Sequence, residues 1–247
     1  MSDAPRGPRD AAEVADAIQT VRERIRVAAL RAGRSEADVR LLAVSKRQPS
    51  LAIRAAYAAG QRDFGENYVQ ELLLKRAELS DLEDLRFHMI GHLQRNKVAS
   101  LAGAVSAVHS VDSVALVKAL GQRTRERPVP ERQRLRPGGE LPVFIEVNIA
   151  AEPQKGGCSP EQLGALVDAV RAEPTLALAG LMAIPSGGGE PEKSREQFEQ
   201  LLLLRERHGG ARSLPELSLG MSRDLEVAVA CGSSWVRVGT DIFGARL

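Results

Sequence analysis

Apolar positions along the chain follow two alternating patterns. From Ala11 to Ala32 apolar side chains recur every three or four residues and Gly33 follows, which predicts an amphipathic opening helix that ends there. After this helix, short β-prone runs alternate with helical stretches about eight times. The runs are continuously apolar, as is typical of strands buried on both faces. The pattern therefore predicts a parallel sheet covered by helices.

Each predicted strand is a short apolar run followed by a loop. The strands are expected near Arg40 to Val44, Arg62 to Gly65, Arg86 to Ile90, Ala104 to Val111, Val143 to Ile149, Ala177 to Met182, Glu216 to Leu219 and Trp235 to Val238. Eight such units in 247 residues favour an α/β fold of the (β/α)8 TIM-barrel type with one extra N-terminal helix. An open doubly wound sheet of seven strands with a hairpin would give nearly the same pattern.

Polar and glycine residues directly after the strands favour the barrel. A barrel gathers the carboxyl ends of all its strands on one face, where active sites lie. We expect residues 1–10 to be a flexible N-terminus and residues 11–247 to be one barrel domain. The segment from Gly121 to Leu141 is rich in arginine and proline and lacks an apolar period, which predicts a mobile surface insertion.

Composition and charge exclude several classes of function. The net charge is +2 and no basic stripe is interleaved with aromatic residues, so nucleic acid is not an expected partner. Cys158 and Cys231 are far apart and lack metal-type spacing, which favours a reducing, cytoplasmic location over a disulfide framework. The sequence shows neither a signal peptide nor an apolar run long enough to span a membrane.

Lys46 is the first candidate for chemistry because it ends the apolar run that begins at Leu41. The low dielectric at the end of a buried strand disfavours the ammonium form and leaves a free amine that can attack an aldehyde. The alternative is a strand-end lysine that extends to solvent.

Two turns near the C-terminus are candidates for holding phosphate. Gly220-Met221-Ser222 and Gly239-Thr240 follow the last two predicted strands, where barrels commonly bind phosphate. Ser222 is expected to cap the next helix and to donate to the phosphate, and Gly239 and Thr240 add N–H and hydroxyl donors. Ordinary capping would explain each turn alone. A lysine amine combined with a phosphate cradle indicates pyridoxal 5′-phosphate.

Arg237 lies within the apolar run of the last predicted strand, where a guanidinium must meet an anion, a carbonyl or a ring nitrogen. Facing a pyridine nitrogen it can only donate, so that nitrogen would remain unprotonated and the cofactor would be a poor electron sink. Asn67 could cap a helix or reach the cofactor ring. His88 and His92 have metal-type spacing, but they straddle a strand end and Gly91, so we expect no metal site.

Several long motifs resemble one family, the single-domain pyridoxal phosphate homeostasis proteins (YggS/PROSC type), which are related to the barrel domain of alanine racemase. The resemblance covers most of the chain from about Leu41 onward. The motifs are Ala43-Val44-Ser45-Lys46, Phe64-Gly65-Glu66-Asn67-Tyr68-Val69-Gln70-Glu71, His88-Met89-Ile90-Gly91-His92-Leu93-Gln94-Arg95-Asn96-Lys97, Gly180-Leu181-Met182-Ala183-Ile184-Pro185, Gly220-Met221-Ser222-Arg223-Asp224 and Val236-Arg237-Val238-Gly239-Thr240-Asp241-Ile242-Phe243-Gly244. The insertion between Gly121 and Leu141 departs from the family pattern.

The resemblance implies an alanine racemase-like barrel (fold type III of the pyridoxal phosphate proteins) with its cofactor bound as a Schiff base on Lys46. It also implies Arg237 at the ring nitrogen, Asn67 beside the ring, and Ser222, Gly239 and Thr240 at the phosphate. The expected function is storage and delivery of pyridoxal phosphate, with apo enzymes as possible recipients and without established turnover.

The alternative function is a racemase-like enzyme. The similar racemases use a second, β-rich domain and a tyrosine from a partner subunit, whereas this chain ends at Leu247 without room for that domain. Its two tyrosines, Tyr57 and Tyr68, fall in predicted helices. We therefore expect no catalytic residue and a monomer.

Overall fold

A computed structural model describes residues 9–152, 154–187 and 190–244, and in it eight parallel strands form a closed barrel in sequence order. The strands are β1 Arg40–Val44, β2 Asp63–Glu66, β3 Arg86–Met89, β4 Ala107–Val111, β5 Leu141–Glu146, β6 Leu176–Met182, β7 Glu216–Ser218 and β8 Trp235–Val238. The pairing of β1 with β8, which places Leu41 beside Val236, closes the sheet. The predicted (β/α)8 barrel is confirmed, and the open-sheet alternative is wrong.

Helices surround the barrel and cover the apolar outer faces of its strands. They are α1 Ala11–Arg31, α2 Ser50–Ala58, α3 Val69–Glu78, α4 Val98–Leu101, α5 Val114–Glu126, α6 Leu163–Arg171, α7 Pro191–Arg207, α8 Gly210–Ser213, α9 Leu225–Ala230 and α10 Thr240–Phe243. The strands also carry apolar residues into the barrel interior, where Leu42, Phe144 and Trp235 form a fully buried cluster.

Helix α1 is the predicted opening helix. Its buried stripe includes Val14, Ile18, Val21 and Ile25, at the helical spacing read from the sequence, and it packs against α2, α9 and α10. Asp10 caps its first turn, so this residue belongs to an ordered helix start and not to the flexible N-terminus predicted for residues 1–10. Residues 1–8 of that predicted segment lie outside the described residues.

The predicted insertion from Gly121 to Leu141 is shorter in the structure. Helix α5 continues to Glu126 and buries Gly121 and Thr124, while Leu141 already belongs to β5. The remaining residues, 127–140, form an irregular connection with a 3-10 turn, and Arg136 in this connection bonds Glu216 of β7. Sequence reasoning missed the helical residues because a buried glycine and threonine do not register as an apolar period.

Candidate functional site

A cavity of about 340 Å³ opens at the carboxyl ends of the strands, and all six predicted site residues line it. They come from loops after β1, β2, β7 and β8 and from β8 itself. They are Lys46, Asn67, Ser222, Arg237, Gly239 and Thr240. The volume suits a small organic ligand. A second cavity of about 340 Å³, between α1 and α9, contains none of the six.

The loop that carries Lys46 is held from beneath by a buried ion cluster. Lys75 of α3 donates from Nζ to Ser45 O at 2.6 Å, to Glu66 Oε1 at 2.7 Å and to Glu71 Oε1 at 2.7 Å. Glu71 Oε1 also accepts the backbone N–H of Arg47 at 2.5 Å, and Arg47 has a left-handed φ of 58°. The cluster thus bonds the residues on both sides of Lys46 and fixes where its side chain begins.

Sequence reasoning missed this cluster, although the four-residue spacing of Glu71 and Lys75 on a helix was a usable signal. Glu66 is fully buried at the end of β2, and its Oε1 also accepts the hydroxyl of Ser45 at 2.7 Å. Burial raises the pKa of Glu66, while the neighbouring ammonium of Lys75 opposes this change. The ion pair with Lys75 therefore offsets part of the cost of burying the Glu66 carboxyl group.

The turn after β7 requires a glycine. Gly220 has a φ of +88°, and a Cβ at this position would lie 2.5 Å from the Cβ of Ala228 in α9. The predicted cap was wrong, because α9 begins at Leu225 with Asp224 at its N-cap position and Ser222 lies two residues earlier. The Asp224 carboxylate instead accepts the N–H of Met221 at 2.6 Å and folds the turn back on itself. This arrangement leaves Ser222 in the cavity wall.

The turn after β8 lies beside the turn after β7, and one arginine of α1 joins them. Arg24 donates to Ser222 O at 2.9 Å and to Asp241 Oδ2 at 2.6 Å. Gly239 lies against the end of β1, where a Cβ would come within 3.0 Å of Val44 O. The two turns and the loop that carries Lys46 therefore form one continuous rim of the cavity.

Arg237 is buried at the floor of the cavity with 4% of its surface exposed. Its Nη1 donates to the carbonyl and, at 2.9 Å, to the hydroxyl of Ser218, and its Nη2 donates to Ala183 O at 3.0 Å. Burial lowers the pKa of Arg237 to about 10, against the effect of Asp224 and Glu146, so the group stays a cation at neutral pH. It can present only donors to a ligand.

Glu146 ends β5, and sequence reasoning missed it. Burial raises the pKa of its carboxyl to about 7, Arg237 opposes this change, and the negative charge of Asp112 adds to it. Its exposed fraction is 7%, and Gly156 of the following loop lies against its carboxylate. A charged residue after the apolar run Val143 to Ile145 was the available signal.

The two histidines of the metal-type pair point to different surroundings. His88 is fully buried in the barrel interior, whereas His92 is exposed and its Nδ1 lies 3.2 Å from Asp112 Oδ2. Within the described ranges, no three His, Cys, Asp or Glu side chains are grouped as metal ligands. No helix in the same ranges is both long and apolar enough to cross a membrane.

Comparison with known proteins places this geometry in a family. Residues 17–247 match the model of the alanine racemase N-terminal domain. The pyridoxal phosphate homeostasis protein of Pseudomonas aeruginosa is 46% identical over 237 residues, covering 94% of this chain and 96% of that protein.

Solved structures agree on the fold. The structure of PipY from Synechococcus elongatus with pyridoxal phosphate bound is 34% identical, with a TM-score of 0.75 over 94% of this chain and all of that chain. Alanine racemase from Streptomyces coelicolor is 20% identical, with a TM-score of 0.69 over 94% of this chain and 58% of its own, a likeness of fold alone. The chain therefore belongs to the family of pyridoxal phosphate homeostasis proteins.

Proposed function

We propose that this protein binds pyridoxal 5′-phosphate in the cavity at the carboxyl ends of its strands and takes part in intracellular homeostasis of that cofactor. The observation that supports the proposal most directly is the convergence of Lys46, Arg237 and the turns after β7 and β8 on one small cavity. The cofactor supplies an aldehyde, which a neutral lysine amine can bond with loss of one water.

The residues of the cavity fit the aldehyde, the ring nitrogen and the phosphate of pyridoxal phosphate. Lys46 enters from the end of β1, Arg237 offers a cation that only donates, and the rim formed by Ser222, Gly239 and Thr240 offers hydroxyl and backbone donors. Asn67 also lines the cavity, and we assign it to the ring face. The shared cavity lining supports, for each of these residues, the role proposed for it.

The proposed role is storage and delivery rather than turnover. A racemase needs a second acid or base opposite the lysine, and neither tyrosine lines the cavity. Tyr57 bonds Asp84 and stacks on Arg62 at the outer surface, and Tyr68 is exposed at the start of α3. Apo forms of pyridoxal phosphate enzymes as recipients, a monomeric state and the cytoplasmic location stay predictions.

The first test is an absorption spectrum of the purified protein with added pyridoxal phosphate, before and after borohydride reduction, followed by peptide mapping. We expect one reduced adduct on Lys46, and its loss in Lys46→Ala. Lys118→Ala, which changes an exposed lysine of α5, is the matched control and should leave the adduct intact. An adduct scattered over surface lysines would refute the assignment.

A second measurement separates the binding protein from the racemase. The holoprotein is incubated with a panel of small amino acids in deuterated water, and exchange of the α-proton is followed by NMR. We expect no exchange above that of free pyridoxal phosphate. Rapid exchange that depends on Lys46 would show an enzyme and would overturn the proposed role.

A further inference from the structure

Four buried side chains form a continuous path between the cavity floor and the opposite end of the barrel. His109 Nδ1 lies 2.8 Å from Ser218 Oγ, His109 Nε2 lies 3.0 Å from His88 Nδ1, and His88 Nε2 lies 3.0 Å from Asp63 Oδ1. Ser218 Oγ is also the acceptor of Arg237 Nη1 at 2.9 Å. We call Ser218, His109, His88 and Asp63 the core chain; none has more than 9% of its surface exposed.

The two ends of the core chain fix the direction of every hydrogen bond in it. A guanidinium only donates, so Ser218 Oγ accepts from Arg237 and its own hydrogen is free to go to His109. An ionised carboxylate only accepts, so His88 Nε2 must donate to Asp63. Burial alone would raise the pKa of Asp63, but hydrogen bonds from Arg86 and His88 lower it well below its ordinary value, so the carboxylate is ionised.

One arrangement of hydrogens is compatible with Arg237 at one end and the Asp63 carboxylate at the other, and it gives every donor of the core chain an acceptor. Ser218 donates to His109 Nδ1, His109 Nε2–H donates to His88 Nδ1, and His88 Nε2–H donates to Asp63. Both rings are then neutral and protonated on Nε2. A charged His88 would instead force His109 Nδ1–H toward Ser218, and the Ser218 hydrogen would lose its acceptor in a buried place.

The surroundings favour the neutral arrangement. Burial, together with the positive charges of Arg237 and Arg40, lowers the pKa of His109 well below its ordinary value. Phe144 stacks on the His109 ring with centroids 4.2 Å apart, and Trp235 meets the His88 ring edge-on at 5.0 Å. These aromatic contacts hold both ring planes, so the rings cannot turn to exchange partners without moving the core.

We propose that the core chain is a one-directional hydrogen-bond relay whose members act as positioning residues for Arg237, tying its guanidinium to the buried carboxylate of Asp63 through the barrel. Ser218 and Ala183 fix the plane of the guanidinium and thereby set which of its N–H groups remains for a ligand. The effect on the binding of pyridoxal phosphate rests on the proposed function, whereas the direction of the hydrogen bonds in the core chain does not.

The direction of these hydrogen bonds is tested on the unmodified, ligand-free protein by long-range ¹H–¹⁵N NMR of the histidine side chains. The protein has four histidines, and His92→Gln and His208→Gln assign the two that lie outside the core chain. We expect His88 and His109 to be neutral Nε2–H tautomers between pH 6 and 8. An Nδ1–H tautomer or a doubly protonated ring at either position would overturn the relay, whatever the protein binds.

The positioning role is tested with Ser218→Ala, which removes the hydroxyl between Arg237 and His109. We expect about tenfold weaker binding of pyridoxal phosphate, the effect of one charge-assisted hydrogen bond, together with a shifted absorption maximum of the bound cofactor. Ser233→Ala is the matched control, because the buried hydroxyl of Ser233 donates only to backbone carbonyls and should change affinity less than twofold.

Unchanged affinity and spectrum in Ser218→Ala would overturn the positioning role, as would equal losses in both variants. If Ser218→Ala does not fold, the tautomers of the unmodified protein still decide the direction. If the unmodified protein binds no pyridoxal phosphate at all, the proposed function fails while the NMR result remains a test of the relay.

Discussion

Replacing Glu146 by glutamine should stabilise the ligand-free protein at neutral and higher pH. Burial raises the pKa of this carboxyl from 4.5 to about 7, so between these two pH values the folded state holds a proton that the unfolded state has already lost. Stability contributed by the protonated group is fully present below about pH 4.5 and disappears as the pH rises through 7. At about 1.4 kcal/mol per pH unit, the loss of stability between pH 4.5 and about 7 amounts to about 3 kcal/mol.

The assay is urea unfolding of the wild type and of Glu146→Gln at intervals from pH 4.5 to 8, without cofactor. The free energy of unfolding of the wild type should fall relative to the variant over this range and then stay constant. Glu131→Gln, which changes an exposed glutamate, is the control and should follow the wild type at every pH. A constant difference between wild type and Glu146→Gln across the range would refute the reasoning.

The other predictions concern stability and use the same unfolding assay. Gly220→Ala should destabilise the protein by roughly 2–4 kcal/mol, because alanine must adopt a left-handed φ and its Cβ meets Ala228; a loss under 1 kcal/mol would contradict this. Lys75→Met should cost about 3–5 kcal/mol by leaving the buried Glu66 without its ion-pair partner, and adding Glu66→Gln should recover much of it; simple additivity of the two changes would argue against the ion cluster. Asp10→Ala should cost about 1 kcal/mol through loss of the helix cap, whereas a neutral result would mean that the first turn frays.

The alternation of apolar runs predicted a parallel sheet covered by helices, and the polar and glycine residues that follow the strands favoured a closed barrel over an open sheet. Boundaries were less exact. The strand predicted from Ala104 begins at Ala107, and the predicted insertion from Gly121 begins only after Glu126. In both places the missing information is packing, because a residue's burial against another helix or strand is not a property of its neighbours in sequence.

The site residues were predicted from residue type and position after a strand, and the structure brings all six to one cavity. Their individual bonds were not predictable. Ser222 was expected to cap α9, yet Asp224 holds that position and binds the N–H of Met221. A serine and an aspartate two residues apart are equally good caps, so only the path of the chain could choose between them.

The sequence by itself determined the kinds of chemistry available to this protein: a lysine at the end of an apolar strand, an arginine inside another, and two glycine turns near the C-terminus. Only the tertiary structure decided which groups meet. Asp63, His88, His109 and Ser218 come from four strands and are separated by up to 155 positions along the chain, yet they form one line of hydrogen bonds. Closing the barrel brings them together, because it turns the inward faces of distant strands toward one dry interior where every polar group must find a partner.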